Sequence, residues 1–141
     1  MKIRIASLVG VASALVGLVG SVGAQGRTIW DGVYTEAQAQ RGQALYTQHC
    51  ASCHGEDLSA GTEAPPLAGD VFLSGWKGNT LGGLFEKMST MMPQTDPGSL
   101  SAAQNAEILA YMLSAGKARA GEIDLKGEAE LLKQIRIEPK P

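Results

Sequence analysis

Apolar positions along this chain recur at helical rather than alternating intervals. Within residues 35–49, Gly42, Leu45 and Tyr46 share a face at i, i+3 and i+4, which predicts a helix. Leu81, Leu84, Phe85 and Met88 repeat at i, i+3, i+4 and i+7 and predict a short amphipathic helix. The run "MMPQTDPGS" ends it, because Pro93 and Pro97 cannot continue helical hydrogen bonding. Ser101 followed by Gln104 reads as a capping box that opens a further helix, with Ile108, Tyr111, Met112 and Ala115 as its apolar stripe and Gly116 as its stop. Between these, "GEDLSAGTEAPPLAGD" is loop, broken by glycines and by Pro65 and Pro66. The terminal "EAELLKQIRIEPKP" predicts one more short amphipathic segment. With little that looks like strand and no βαβ rhythm, the expected fold class is all-α, three to five helices with long loops.

The first stretch has a different pattern. Lys2 and Arg4 precede an apolar run from Ile5 to about Val22, and small residues Gly23 and Ala24 follow. This is the three-part layout of a secretory signal peptide over residues 1–24, with Val22 and Ala24 where a peptidase reads small side chains. An uncleaved membrane anchor is the alternative, since the run approaches the roughly 20 residues that span a bilayer. The expected divisions are the signal peptide at 1–24, a lead-in at 25–34, a helical domain at 35–116 and a C-terminal extension packed on it at 117–141.

Charge then narrows the class of partner. The chain has 12 basic and 14 acidic residues, and loss of Lys2 and Arg4 leaves 10 against 14, about −4 for the exported protein. A mildly acidic chain argues against nucleic acid, which calls for a basic patch. After cleavage no stable membrane insertion is expected.

The candidate chemistry sits in "HCASCHGED", residues 49–57, which holds both cysteines of the chain, Cys50 and Cys53, with His54 directly after. Export makes a disulfide the default reading, yet a Cys50 to Cys53 bond closes a tiny loop and contributes little stability. A thioredoxin-like dithiol belongs at a strand-to-helix junction, which this chain lacks. A tetrahedral zinc site is implausible when His49, Cys50, Cys53 and His54 are the only Cys and His present and crowd into one short run. The remaining reading is covalent haem attachment, for which C-x-x-C-H is the signature. Two thiols at this spacing reach the two vinyl groups on one porphyrin edge, and the adjacent histidine falls under the iron as proximal ligand. The chain has seven aromatic residues in all, and a large apolar macrocycle supplies hydrophobic mass to an otherwise thin core.

With these motifs in order, residues 35–115 resemble a class I cytochrome c: helix, C-x-x-C-H, a loop with P-x-L, a short helix, an M-P element and a C-terminal helix. The resemblance implies one covalently attached haem c and a close crossing of the first and last helices, with Gly42 and Tyr46 facing Ile108 and Tyr111. It also implies that His54 donates its other ring nitrogen to a prolyl carbonyl, from Pro65 or its neighbour Pro66. Trp76, Lys77 and Asn79 become candidates to hydrogen bond a haem propionate, while Trp76 also reads as simple core. For the sixth ligand the family commonly places methionine directly before proline, which matches Met92; Met91 and Met88 stay open, with Met88 on its helix's apolar stripe. The segments around Trp76, Met92 and the last helix are similar to periplasmic cytochromes c associated with quinoprotein dehydrogenases.

The function so implied is a monomeric periplasmic electron carrier. It takes electrons from a dehydrogenase donor and passes them to an oxidase or cytochrome acceptor, with no catalytic residues of its own. Two other readings remain open: a haem subunit of a dehydrogenase complex, and a haem-based ligand sensor with a labile sixth ligand.

Overall fold

The computed structural model describes residues 26–59 and 64–141, and the predicted signal peptide lies outside the described residues. Thr35 opens the first helix, α1 (Glu36–His49), by accepting the Gln38 N–H at 3.1 Å on its side-chain oxygen. That bond satisfies one of the amides that a helix start leaves unpaired. A single turn, α2 (Ala51–His54), follows after Cys50, whose own N–H donates to the Tyr46 carbonyl at 2.8 Å. The next helix, α3 (Gly69–Trp76), has no counterpart in the apolar pattern and takes Gly69 and Asp70 from the predicted loop. Two glycines in eight residues weaken its local signal, and the buried Phe72 shows that tertiary packing holds it instead.

Helix α4 (Leu81–Met91) ends where the Met-Pro element predicts, with Met92 as C-cap donating to the Met88 carbonyl at 3.0 Å. In α5 (Ala102–Ala115) the capping box is complete: the Ser101 hydroxyl accepts the Gln104 N–H at 3.2 Å and the Gln104 side chain accepts the Ser101 N–H at 2.9 Å. Gly116 caps the far end with φ of −71°, and the left-handed residue is the next one, Lys117, at φ +66°. The last turn is α6 (Ala129–Leu132), inside the predicted amphipathic segment. The four longer helices lie within the expected three to five, and α2 and α6 are single turns. Among the described residues the only β pairing is two isolated bridges.

Helices α1 and α5 cross at Gly42, where a Cβ would lie 1.8 Å from the Glu107 carbonyl oxygen, so only glycine permits the approach. Tyr46 is fully buried there, its ring 5.3 Å from that of Tyr111, and Ile108 and Leu109 fill the seam. The expected partners of the crossing thus meet. A buried amide locks the extension onto α1: Gln38 Nε2 donates to the Leu125 carbonyl at 2.8 Å, and the Leu125 N–H donates back to Gln38 Oε1 at 2.7 Å. Nearby, the Tyr34 hydroxyl donates to the Ala118 carbonyl at 2.6 Å.

Beyond α6 the chain forms a strap. Its Arg136 N–H donates to the Arg27 carbonyl at 2.8 Å and its Arg136 carbonyl accepts the Ile29 N–H at 3.0 Å, in parallel register. On the other side, Leu81 N–H donates to the Ile135 carbonyl at 2.8 Å and Ile137 N–H to the Asn79 carbonyl at 2.9 Å. Leu132, Ile135 and Ile137 are buried, each contributing roughly 2 kcal/mol of apolar transfer.

Candidate functional site

The C-x-x-C-H run is held in one helical turn. Cys53 N–H and His54 N–H both donate to the Cys50 carbonyl, at 3.1 and 3.0 Å, so the two thiols rise from successive positions of one turn with the imidazole beside them. Both thiols are free and half-buried, and burial, with Cys53 close by, pushes the Cys50 thiol up to about 11. A thiol so raised stays protonated near neutral pH, which is the reverse of a redox-poised cysteine. Among the described residues no three His, Cys, Asp or Glu side chains converge, as a metal site built from them would need.

His54 is 8 % exposed, and its Nδ1 lies 2.8 Å from the Pro65 carbonyl oxygen. A carbonyl only accepts, so Nδ1 carries a proton and Nε2 is the ring nitrogen left to face a metal. Of the two prolines in "PPL" it is therefore Pro65 that orients the ring. The Tyr46 hydroxyl donates to the Gly55 carbonyl at 2.5 Å and so ties the end of α2 to α1, a contact that the spacing of apolar residues does not reveal. Burial pushes the Tyr46 phenol up to about 12, so it remains a donor at every physiological pH. Leu58, left-handed at φ +61°, accepts the Leu67 N–H on its carbonyl at 2.9 Å, two residues beyond Pro65.

The methionines separate by environment. Met88 and Met112 lie in the core, Met91 is 53 % exposed at the last position of α4, and Met92 is half-buried at the C-cap. Trp76 is half-buried at the end of α3, its ring 6.4 Å from Phe72 and under the Lys87 ammonium at 5.7 Å. Its carbonyl accepts the Asn79 N–H at 2.9 Å, and Lys77 in the same turn is exposed.

These residues fit a covalently held haem on three counts. The thiols are unbridged and available for thioether bonds, and the buried imidazole uses Nδ1 on Pro65 and leaves Nε2 for another partner. In addition, the Ser89 hydroxyl is buried without a hydrogen-bond partner, one turn before Met92 on the same side of α4. A buried polar atom left unpaired is rare in folded proteins and marks a face that another group completes.

The chain is 34 % identical over 91 residues to the cbb3-type cytochrome c oxidase subunit CcoP of Rhodobacter capsulatus, a match covering 57 % of this chain and 30 % of that protein. The chain thus spans about a third of the length of this relative. Among solved structures it resembles the sulfane dehydrogenase SoxCD from Paracoccus pantotrophus, with a TM-score of 0.53 and 21 % identity over 77 % of this chain and 61 % of that one, a likeness of fold. Residues 37–112 match the family model for cytochrome c oxidase, cbb3-type, subunit III, so the chain belongs to that family: it is an all-α cytochrome c of class I, an electron-transfer protein whose covalent cofactor is haem c, with Cys50 and Cys53 in the haem-binding region.

Proposed function

We propose that the protein is an exported one-electron carrier whose haem iron is ligated by His54 and Met92. The observation that carries this reading is the 2.8 Å bond from His54 Nδ1 to the Pro65 carbonyl, which leaves Nε2 free beside two unbridged thiols. When bound, the haem supplies a ferric–ferrous couple that accepts and gives up single electrons. The chain does the rest. Cys50 and Cys53 would hold the haem through thioether bonds, His54 would give the iron a nitrogen ligand, and Pro65 holds the ring's rotation through Nδ1. Met92 would give a thioether ligand, which raises the potential and closes the iron to small molecules. Trp76, with Lys77 and Asn79, lies in the turn before α4 as a candidate propionate partner.

The donor is a periplasmic dehydrogenase and the acceptor an oxidase or cytochrome of the respiratory chain, met through small, brief interfaces. The chain works as a monomer with residues 35–116 as its electron-transfer domain, exported by residues 1–24. No helix among the described residues is long and apolar enough to cross a membrane. One observation favours a second reading: the Rhodobacter relative is an oxidase subunit, and a haem subunit of a larger oxidoreductase would share every feature of the site.

The ferric absorption spectrum tests the ligand set. Purified holoprotein should show the weak long-wavelength band of iron–methionine sulfur. Met92→Ala should abolish it and lower the potential, while Met91→Ala should retain it. A band that survives Met92→Ala refutes the assignment, and a wild-type protein with no such band points to a sensor. Reduction of the isolated protein by periplasmic extract, followed by purification of the reducing fraction, identifies the donor; copurification in a stable stoichiometric complex would favour the subunit reading.

A further inference from the structure

The helix that ends in Met92 is gripped at its other end by the C-terminal segment. At its first turn, Leu81 N–H donates to the Ile135 carbonyl at 2.8 Å; just upstream, Asn79 accepts from Ile137 N–H at 2.9 Å and Gly78 N–H donates to the Ile137 carbonyl at 3.0 Å. Gly82 then lies so close to α6 that a Cβ would stand 2.6 Å from both the Ala129 carbonyl oxygen and the Lys133 amide nitrogen. Lys133 Nζ reaches Glu86 Oε1 at 2.9 Å, one turn further along α4. Helix α4 thus packs on α6 along its first turns, also contacts α5, and carries Met92 at its far end, where Met92 N–H is bonded to the Met88 carbonyl.

We propose that the segment 128–138, α6 with the strap after it, is the positioning element for the Met92 thioether, acting through α4. This rests on Met92 as the sixth ligand. Met92 caps α4, so where its thioether sits depends on where α4 sits, and the first turns of α4 are bonded to and packed against the strap and α6. Loosening the strap populates an open state in which the thioether has left the iron. An added ligand binds only that open state, so its apparent affinity rises in proportion to the open fraction.

The test uses ferric holoprotein with imidazole as probe. Gly82→Ala inserts the Cβ against two backbone atoms of α6, while alanine is the better helix former, so α4 itself stays intact. A chain ending at Gly127 removes the whole element. Tyr34→Phe, which cuts the bond to Ala118 and touches neither α4 nor residues 128–138 in sequence, controls for general loss of stability. Gly82→Ala and the truncated chain should weaken the long-wavelength band, lower the potential and bind imidazole about tenfold tighter; Tyr34→Phe should match wild type in all three. Should the truncated chain fail to mature, Gly82→Ala alone decides. If Gly82→Ala binds imidazole as wild type does while Met92→Ala opens the iron, the strap is only a cover and the inference fails by itself. If Tyr34→Phe opens the iron equally, the effect is general loosening and the inference again fails. If Met92→Ala leaves band and affinity unchanged, the ligand assignment fails first and takes this inference with it.

Discussion

Replacing Gly42 by alanine tests the crossing that the whole domain is built around. The new Cβ would lie 1.8 Å from the Glu107 carbonyl oxygen and 2.4 Å from its carbon, both backbone atoms of α5 that no rotamer change can move. Restoring ordinary contact near 3.4 Å requires the helices to part by about 1.6 Å, a gap that forfeits half or more of the dispersion energy across it. The groups that lose contact are the Tyr46–Tyr111 ring pair, Ala39, Ile108 and Leu109. We set the overpacking and the loosened ring pair together at about 4 kcal/mol, against about 1 kcal/mol gained by alanine as a helix former, for a net loss of about 3 kcal/mol. Against a total of about 5–15 kcal/mol this moves the denaturation midpoint far down. The assay is urea unfolding of the holoprotein followed by far-ultraviolet circular dichroism. Gly75 supplies the contrast: it lies in α3 with nothing within 4 Å of a built Cβ, so Gly75→Ala should stabilise by about 0.5 kcal/mol. A Gly42→Ala protein as stable as wild type would refute the close-crossing account.

Three further outcomes follow from named contacts. The Thr35 hydroxyl first, then the Arg41 guanidinium, hold the Asp124 carboxyl below its ordinary value, so its contribution is present above about pH 4 and fades as pH falls through the folded value. Because the group is exposed this is worth about 0.5 kcal/mol, and Asp124→Asn should lower the urea midpoint at pH 7, with the gap from wild type narrowing as pH falls below about 4. Tyr46→Phe leaves the Gly55 carbonyl without its donor and should cost about 1 kcal/mol by the same unfolding assay, with an unchanged midpoint counting against that bond. Replacing both Cys50 and Cys53 by alanine should leave haem extractable by acid acetone, whereas either single change should retain it through one thioether; full retention in the double variant would contradict covalent attachment.

What could be read from the chain was what is local in it. The Ser101–Gln104 capping box and the C-x-x-C-H turn each lie within a few residues, and both occur in the structure as spaced. The choice between Pro65 and Pro66 was not legible, because adjacent prolines carry the same local signal and only the tertiary contact of His54 Nδ1 with the Pro65 carbonyl separates them. Helix α3 escaped the apolar pattern because its glycines dilute the repeat and one buried side chain, Phe72, carries its packing. For the strap, the amphipathic pattern told of an extension packed on the domain but not of its partners. Its bonds join residues such as Trp30 and Glu138, 108 positions apart, and no window along the sequence contains both ends. The three environments of Met88, Met91 and Met92 are likewise a matter of where α4 stops, which Pro93 marks but does not explain.

The parallel register of Arg27–Ile29 with Arg136 has a mechanical consequence. The chain enters the described fold at Gly26 and leaves it past Glu138, with the two segments side by side and running in the same direction. Opposed tension on the two ends therefore acts along the pair. The bonds from Ile29 to Arg136 and from Arg136 to Arg27, with the Trp30 indole on the Glu138 carbonyl at 2.9 Å, bear load together in shear instead of unzipping singly. A domain closed in this way tolerates a tether at either terminus, because the clasp that would open first is the one that resists by all its bonds at once.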